Sequence, residues 1–190
     1  MKGLFAFYNS NYYSNMTFSK ILLMCALFFN LSCFGQKPNT VNMIQDTKFD
    51  KKLKSLLRFD VPIISVKSLS AELKNVVLLD AREPQEYNIA HIAGAKNIGY
   101  DNYNLKILES VPKNSKIVVY CSIGYRSEKI ASKIMKLGYK DVSNLYGSIF
   151  EWVNQGYPVY DTNEKLTNQI HTYNKSWSKW VENNACNKVW

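Results

Sequence analysis

Two short apolar runs, Val76-Val-Leu-Leu-Asp80 and Lys116-Ile-Val-Val-Tyr120, constrain this chain more than any other feature. Runs of this length without alternation between polar and apolar residues belong to strands buried on both faces. Such strands occur in parallel sheets covered by helices on each side. The segment after the second run bears this out, because Ile130, Ile134 and Leu137 fall on one helical face and Gly138 follows at a good capping position. Strands alternating with helices in this way predict an α/β domain with a mainly parallel sheet.

The remaining elements follow from their punctuation. Phe49, Leu53, Leu56 and Leu57 are spaced for a short amphipathic helix laid on the domain, which Pro62 ends. A strand is expected over residues 63–66, then a short helix capped by Ser68 and reaching Leu73. Pro84 opens a helix that ends at Ile89, and the stretch 92–98 is extended. A helix over 103–109 is bounded by Pro112, a strand covers 142–145, and a helix over 148–155 is closed by Gly156.

Composition narrows the class. With 46% hydrophobic and 14% aromatic residues among 190, the chain can bury a real core, which excludes a disordered chain and a disulfide-held miniprotein. The net charge of +9 would suit nucleic acid if it were clustered, but the lysines are scattered and their densest group is Lys51, Lys52 and Lys54, so no nucleic-acid partner is expected. The long apolar run from Ile21 to Leu31 is short for a membrane span and reads as the hydrophobic part of a signal peptide, with Lys20 just before it and Met16 as a second candidate start. Two exits follow. Cleavage after Gly35 would release the protein, whereas Leu31-Ser32-Cys33 resembles a lipobox that would make Cys33 a lipid anchor. Release is preferred, because Asn30 stands where that box wants an aliphatic residue. The expected organisation is a signal segment over 1–35, an extension over 36–62, a domain over 63–160 and an aromatic tail over 161–190. The expected location is the periplasm or cell envelope.

In open α/β sheets, ligands sit beyond the carboxyl ends of the strands. The segment Cys121-Ser-Ile-Gly-Tyr-Arg-Ser127 leaves a buried strand at that end and opens a helix. A cysteine there faces the positive end of the helix dipole and the backbone N–H groups that the first turn leaves unpaired, so its thiolate is favoured. Gly124 allows the loop to turn successive amides inwards as an anion cradle, Ser122 and Ser127 offer hydroxyls, and Arg126 offers a fixed positive charge.

This loop resembles the active-site loop of rhodanese-like sulfurtransferases. Leu78-Leu-Asp-Ala-Arg-Glu-Pro-Gln-Glu-Tyr-Asn-Ile-Ala-His-Ile-Ala-Gly-Ala-Lys-Asn-Ile98 is similar to that family's Asp-x-Arg-Glu segment and following turn. Leu145-Tyr-Gly-Ser-Ile-Phe-Glu-Trp-Val-Asn-Gln-Gly-Tyr-Pro-Val159 is similar to its closing segment. Ala90 and Ala93 depart from the pattern, at a turn away from the cysteine. The resemblance implies a single module with a five-stranded parallel sheet and helices on both faces. It further implies that Cys121 accepts a sulfane sulfur from a small donor such as thiosulfate as a persulfide and passes it to a thiophilic acceptor, with Ser122, Ile123, Gly124, Tyr125, Arg126 and Ser127 forming the cradle. Asp80, Arg82 and Glu86 resemble the family's charged support, and structural roles in surface or rim ion pairs are expected of them ahead of catalytic ones. His91 is expected to orient a turn, and with His171 the only other histidine, no metal or other cofactor is expected.

Other readings fit less well. A cysteine phosphatase of the related loop type needs one more residue between cysteine and arginine and usually a histidine before the cysteine, where this chain has Tyr120. A thioredoxin-like enzyme would need Cys-x-x-Cys, which is absent. The strongest rival is a non-catalytic rhodanese-fold binding module of the cell envelope. In the tail, Trp177, Trp180 and Val181 would share one side of a helix, and the aromatics are expected to pack back on the domain, the alternative being a site for a protein partner. Cys186 lies in a polar stretch near the terminus, where an incidental thiol is expected ahead of one that resolves an oxidised Cys121 or receives its sulfur.

Overall fold

A computed structural model describes residues 37–190. The signal segment, with Met16, Cys33 and Gly35, lies outside the described residues. Among the described residues no helix is long and apolar enough to cross a membrane.

The two apolar runs form strands β2 (Val77–Asp80) and β4 (Lys116–Tyr120), flanked by β1 (Ile63–Ile64), β3 (Lys96–Asn97) and β5 (Asp141–Leu145). These five make one sheet in the order β1-β5-β4-β2-β3, with all four pairings parallel. Side chains of β4 alternate between two cores, as strand geometry requires. Val118 and Tyr120 pack on one face with Phe49 and Leu53 of α1 (Thr47–Leu56), Val66 and Leu69 of α2 (Val66–Glu72), and Ile149, Phe150 and Trp152 of α5 (Ser148–Asn154). Ile117 and Val119 pack on the other with Ile130, Ala131 and Ile134 of α4 (Tyr125–Lys136). The remaining helix, α3 (Pro84–Ile89), follows β2 and has Pro in its first turn. The order of strand addition reverses between β2 and β4: the path from β2 runs outward to β3, and the path from β4 runs the other way to β5. The crevice at this switch point is where α/β folds bind ligands.

Several local expectations change. Val66 opens α2 where a strand was expected, because Ser65 and not Ser68 is the cap: the Ser65 hydroxyl accepts the Ser68 N–H at 3.0 Å. The helix expected over 103–109 is a single 3-10 turn, Lys106–Ser110, held by Leu108 N–H to Leu105 O and Val111 N–H to Leu108 O, with Asn104 Oδ1 accepting the Lys106 N–H. In the tail, the expected helix is also one 3-10 turn, Ser178–Trp180. Asn154 ends it: its Nδ2 donates to Trp180 O at 2.9 Å, and its Oδ1 accepts the N–H groups of Glu182 and Asn183. The rest of the tail enters two small ladders, β7 (Leu166–Thr167) antiparallel to β6 (Val159–Tyr160) at the end of the domain, and β8 (Gln169–His171) parallel to β9 (Asn187–Val189).

The tail aromatics divide. Trp177 and Trp180 pack against the first core, with Trp180 stacked on Phe49 at 5.3 Å, while Tyr173 and Trp190 remain exposed.

The turn into α5 is closely packed. Gly147 has φ +75, and a Cβ placed there would lie 2.5 Å from Ile44 Cδ1 and 2.7 Å from Glu151 Cβ. Gly147→Ala is therefore expected to destabilise the fold by about 1–3 kcal/mol, through backbone strain and overpacking together. Urea unfolding checks this, and an unchanged midpoint would refute it.

Candidate active site

Cys121 follows β4 directly, and its loop is anchored from below by the start of α5. The Cys121 N–H donates to Ser148 Oγ at 3.1 Å, the Ile149 N–H donates to Cys121 O, and the Phe150 N–H donates to Ser122 O. Ser148 itself has φ 52, unusual for a residue with a side chain, and its hydroxyl secures that conformation by also donating to Leu145 O at 3.0 Å. Asn144, fully buried on β5, donates from Nδ2 to Gly124 O at 2.9 Å and accepts the Ser127 hydroxyl at 2.7 Å. Neither Ser148 nor Asn144 was singled out from the sequence. The available signal was Asn144 itself, an amide inside a strand that must be buried.

Within the loop, Gly124 adopts φ 112, closed to most side chains, and this turns its N–H onto Cys121 Sγ at 3.2 Å. Cys121 is 1% exposed. Burial pushes its thiol pKa up, but the Arg126 charge, the neighbouring Ser127 and the Gly124 N–H outweigh it, so the thiol lies below its ordinary value. Of the loop, Cys121, Ser122, Ile123, Tyr125 and Arg126 line one cavity, Gly124 lies against the sulfur, and Ser127 is fully buried.

The charged residues are not at the rim. Asp80 and Arg82 are wholly buried, with Arg82 Nη2 on Asp80 Oδ2 at 2.6 Å and on Ala90 O at 2.6 Å, so this pair ties the end of β2 to the turn after α3. Glu86 is buried as well and receives Arg126 through two bonds, Nη1 to Oε2 at 2.6 Å and Nη2 to Oε1 at 2.7 Å. The surface ion pairs expected for these three residues are therefore corrected to interior ones. The reason is geometric: all three sit at the switch-point crevice, under the loops that cover it. Burial would raise the Glu86 pKa, but the Arg126 hydrogen bonds and charge and the Arg82 charge hold it below the usual glutamate range. Arg126 is accordingly a neutralised partner of Glu86 that still acts on the thiolate.

His91 is buried at a turn, with its ring stacked on Tyr87 at 4.0 Å, Nδ1 3.2 Å from Tyr87 O, and its backbone N–H donating to Tyr160 O. Cys186 is half-buried against the first core, and burial pushes its thiol up. Among the described residues no group of three His, Cys, Asp or Glu side chains could hold a metal ion. Above Cys121 opens a cavity of about 420 Å³, walled by loop residues, by Tyr100 and Asp101 after β3, by Leu56 of α1, and by Tyr173 and Trp177 of the tail.

This arrangement presents an activated thiolate to a pocket. A family described as Rhodanese-like domain matches residues 65–155. The thiosulfate:glutathione sulfurtransferase of Saccharomyces cerevisiae is 35% identical over 94 residues, 43% of this chain and 68% of the yeast protein. The probable adenylyltransferase/sulfurtransferase MoeZ of Mycobacterium tuberculosis is 34% identical over 86 residues, 45% of this chain, and the chain spans only 22% of its length. In fold, the chain is similar to the rhodanese-like domain of an Anabaena protein, with a TM-score of 0.50 at 24% identity, over 56% of this chain and 83% of that one. The chain belongs to the rhodanese-like domain family.

The lowered thiol value carries a test. Alkylation of Cys121 by iodoacetamide, followed by peptide mass, is expected to rise with pH and to level off with a midpoint below the roughly 8.5 of a free cysteine. Since the folded value lies below the unfolded one, the ionised sulfur adds stability above the unfolded pKa, and that stability is lost as pH falls through the folded value. A midpoint at or above that of free cysteine would contradict the site's electrostatics.

Proposed function

We propose that this protein is a sulfurtransferase in which Cys121 takes a sulfane sulfur from a small donor such as thiosulfate and passes it to a thiophilic acceptor. The observation that carries the reading is the Cys121 sulfur itself, which accepts the Gly124 N–H at 3.2 Å beneath an open cavity and is ionised more readily than a free thiol. The similarity to a thiosulfate:glutathione sulfurtransferase supports it.

The chemistry balances without an external oxidant. The Cys121 thiolate attacks the outer sulfur of thiosulfate, the sulfur–sulfur bond breaks, and sulfite leaves with the bonding pair. The resulting persulfide ends in an anionic sulfur, which the backbone amides at the start of α4 stabilise in place of water. An acceptor such as cyanide then bonds that terminal sulfur, the persulfide bond breaks, and the electron pair returns to Cys121 as thiolate. Glu86 holds Arg126 in place throughout, while Ser148 and Asn144 hold the loop.

Thiosulfate treatment is expected to add one sulfur atom at Cys121, seen by intact mass. Cys121→Ser should abolish transfer to cyanide and leave the circular dichroism spectrum and melting temperature close to those of the parent. An active serine variant would refute the mechanism. A protein that neither gains sulfur nor turns over would favour a binding module.

Export to the periplasm or cell envelope belongs to the same proposal and rests on the apolar run 21–31 and the exits at Cys33 and Gly35. Fractionation followed by N-terminal sequencing is expected to find mature chains outside the cytoplasm, beginning after Gly35. Full-length protein retained in the cytoplasm would overturn this part.

A further inference from the structure

The cavity over Cys121 is larger than thiosulfate requires and is lined differently. Its volume, about 420 Å³, falls within the roughly 300–1,000 Å³ of pockets that enclose drug-sized molecules. Thiosulfate is a compact dianion and would call for cations, but the one cationic side chain in the wall, Arg126, already gives two hydrogen bonds to Glu86. The other charged side chains in the wall, Glu83 and Asp101, are carboxylates that repel anions. Much of the rest is apolar or aromatic.

Three wall residues come from outside the stretch matched by the family, residues 65–155: Leu56 from α1 and Tyr173 and Trp177 from the tail. The two extensions are bound to each other and to the domain. Phe49 of α1 stacks on Trp180, Lys52 lies over the Trp177 ring at 5.8 Å, and Asn154 of α5 holds the chain around Trp180. Tyr173 is held at φ 66, a conformation uncommon for an aromatic residue, with its N–H donating to His171 Nδ1 at 3.1 Å. That turn carries the ring to 5.4 Å from the Arg126 guanidinium while leaving it 56% exposed. An aromatic side chain kept near solvent in a strained backbone beside the reactive sulfur marks a contact surface for a ligand.

We propose that the sulfur acceptor is a low-molecular-weight organic thiol with an apolar or aromatic body and no anionic group, seated against Leu56, Tyr173 and Trp177. This rests on the sulfur transfer proposed above. The thiol loses its proton to solvent, and its sulfur bonds the terminal sulfur of the Cys121 persulfide. The persulfide bond breaks, the pair returns to Cys121 as thiolate, and the acceptor leaves as a hydropersulfide anion, with no net oxidation. Small anions such as thiosulfate still reach the sulfur, but gain nothing from the wall.

The test uses the full-length protein loaded with thiosulfate, persulfide formation being confirmed by mass, and compares benzyl mercaptan, thioglycolate and cyanide as acceptors. After correction for each thiol's ionisation, kcat/KM for benzyl mercaptan is expected to exceed that for thioglycolate by at least about tenfold. In Tyr173→Ala and Trp177→Ala the ratio of benzyl mercaptan to cyanide kcat/KM is expected to fall about tenfold, as when a ring packed on the substrate is removed. Tyr173→Ala keeps the test sound if the more buried Trp177 variant folds poorly. Equal use of the two thiols, or an unchanged ratio in Tyr173→Ala, would overturn the acceptor class while leaving sulfur transfer intact. Failure to form the persulfide would instead remove the sulfur-transfer reading, and this inference with it.

Discussion

A thiolate withdrawn from water loses its hydration, and replacing that hydration is the constraint on which the rest of this structure depends. Cys121 is almost entirely buried, yet its thiol is displaced towards ionisation. Only groups that are already oriented can do this, because a donor that must reorganise gives back in ordering what it gains in attraction. The Gly124 N–H, the Ser127 N–H and the Arg126 charge are such groups. Each is in turn fixed: Gly124 O and the Ser127 hydroxyl by Asn144, Arg126 by Glu86, and the Cys121 backbone by Ser148. The polar interior is a scaffold for one sulfur.

The pairing of Arg126 with Glu86 resolves an apparent conflict within this scaffold. A carboxylate near a thiolate raises the thiol pKa, and an unpaired buried guanidinium is costly to desolvate. Glu86 accepts from both terminal nitrogens of Arg126 and shares Ser122 Oγ with it, so the ion pair is complete and Arg126 still lowers the thiol. Asp80 and Arg82 repeat the arrangement one layer down, where their task is to hold the end of β2 against the turn at Ala90.

The sheet was legible in the sequence because β2 and β4 are apolar without interruption, and a strand of that kind has few alternatives to a parallel sheet between helices. The loop from Cys121 to Ser127 was legible because cysteine, glycine and arginine each satisfy a separate physical demand. The depth of Asp80, Arg82 and Glu86 was not legible, since charge alone suggests the surface and only the pairing geometry makes burial tolerable. Ser148 was hidden for a different reason. Its part depends on a left-handed backbone at a non-glycine residue, stabilised by a hydroxyl that bonds both Cys121 N–H and Leu145 O, and sequence pattern reports neither.

The tail shows how a short segment acquires a definite position without a helix or strand of any length. Apart from the short β8–β9 ladder, its residues make mostly local turns. Other fixed points are supplied by the domain and by α1: Asn154 binds a carbonyl and two amides, Asn183 returns a bond to Val153 O at 2.7 Å, and Phe49 provides the face on which Trp180 stacks. Phe49 belongs to α1, so the N-terminal helix and the C-terminal tail are each placed partly by the other. Both then meet at the mouth of the cavity, through Leu56 from one and Tyr173 and Trp177 from the other. The sheet and its loop therefore fix where the sulfur sits, while the two extensions fix the shape of what can approach it.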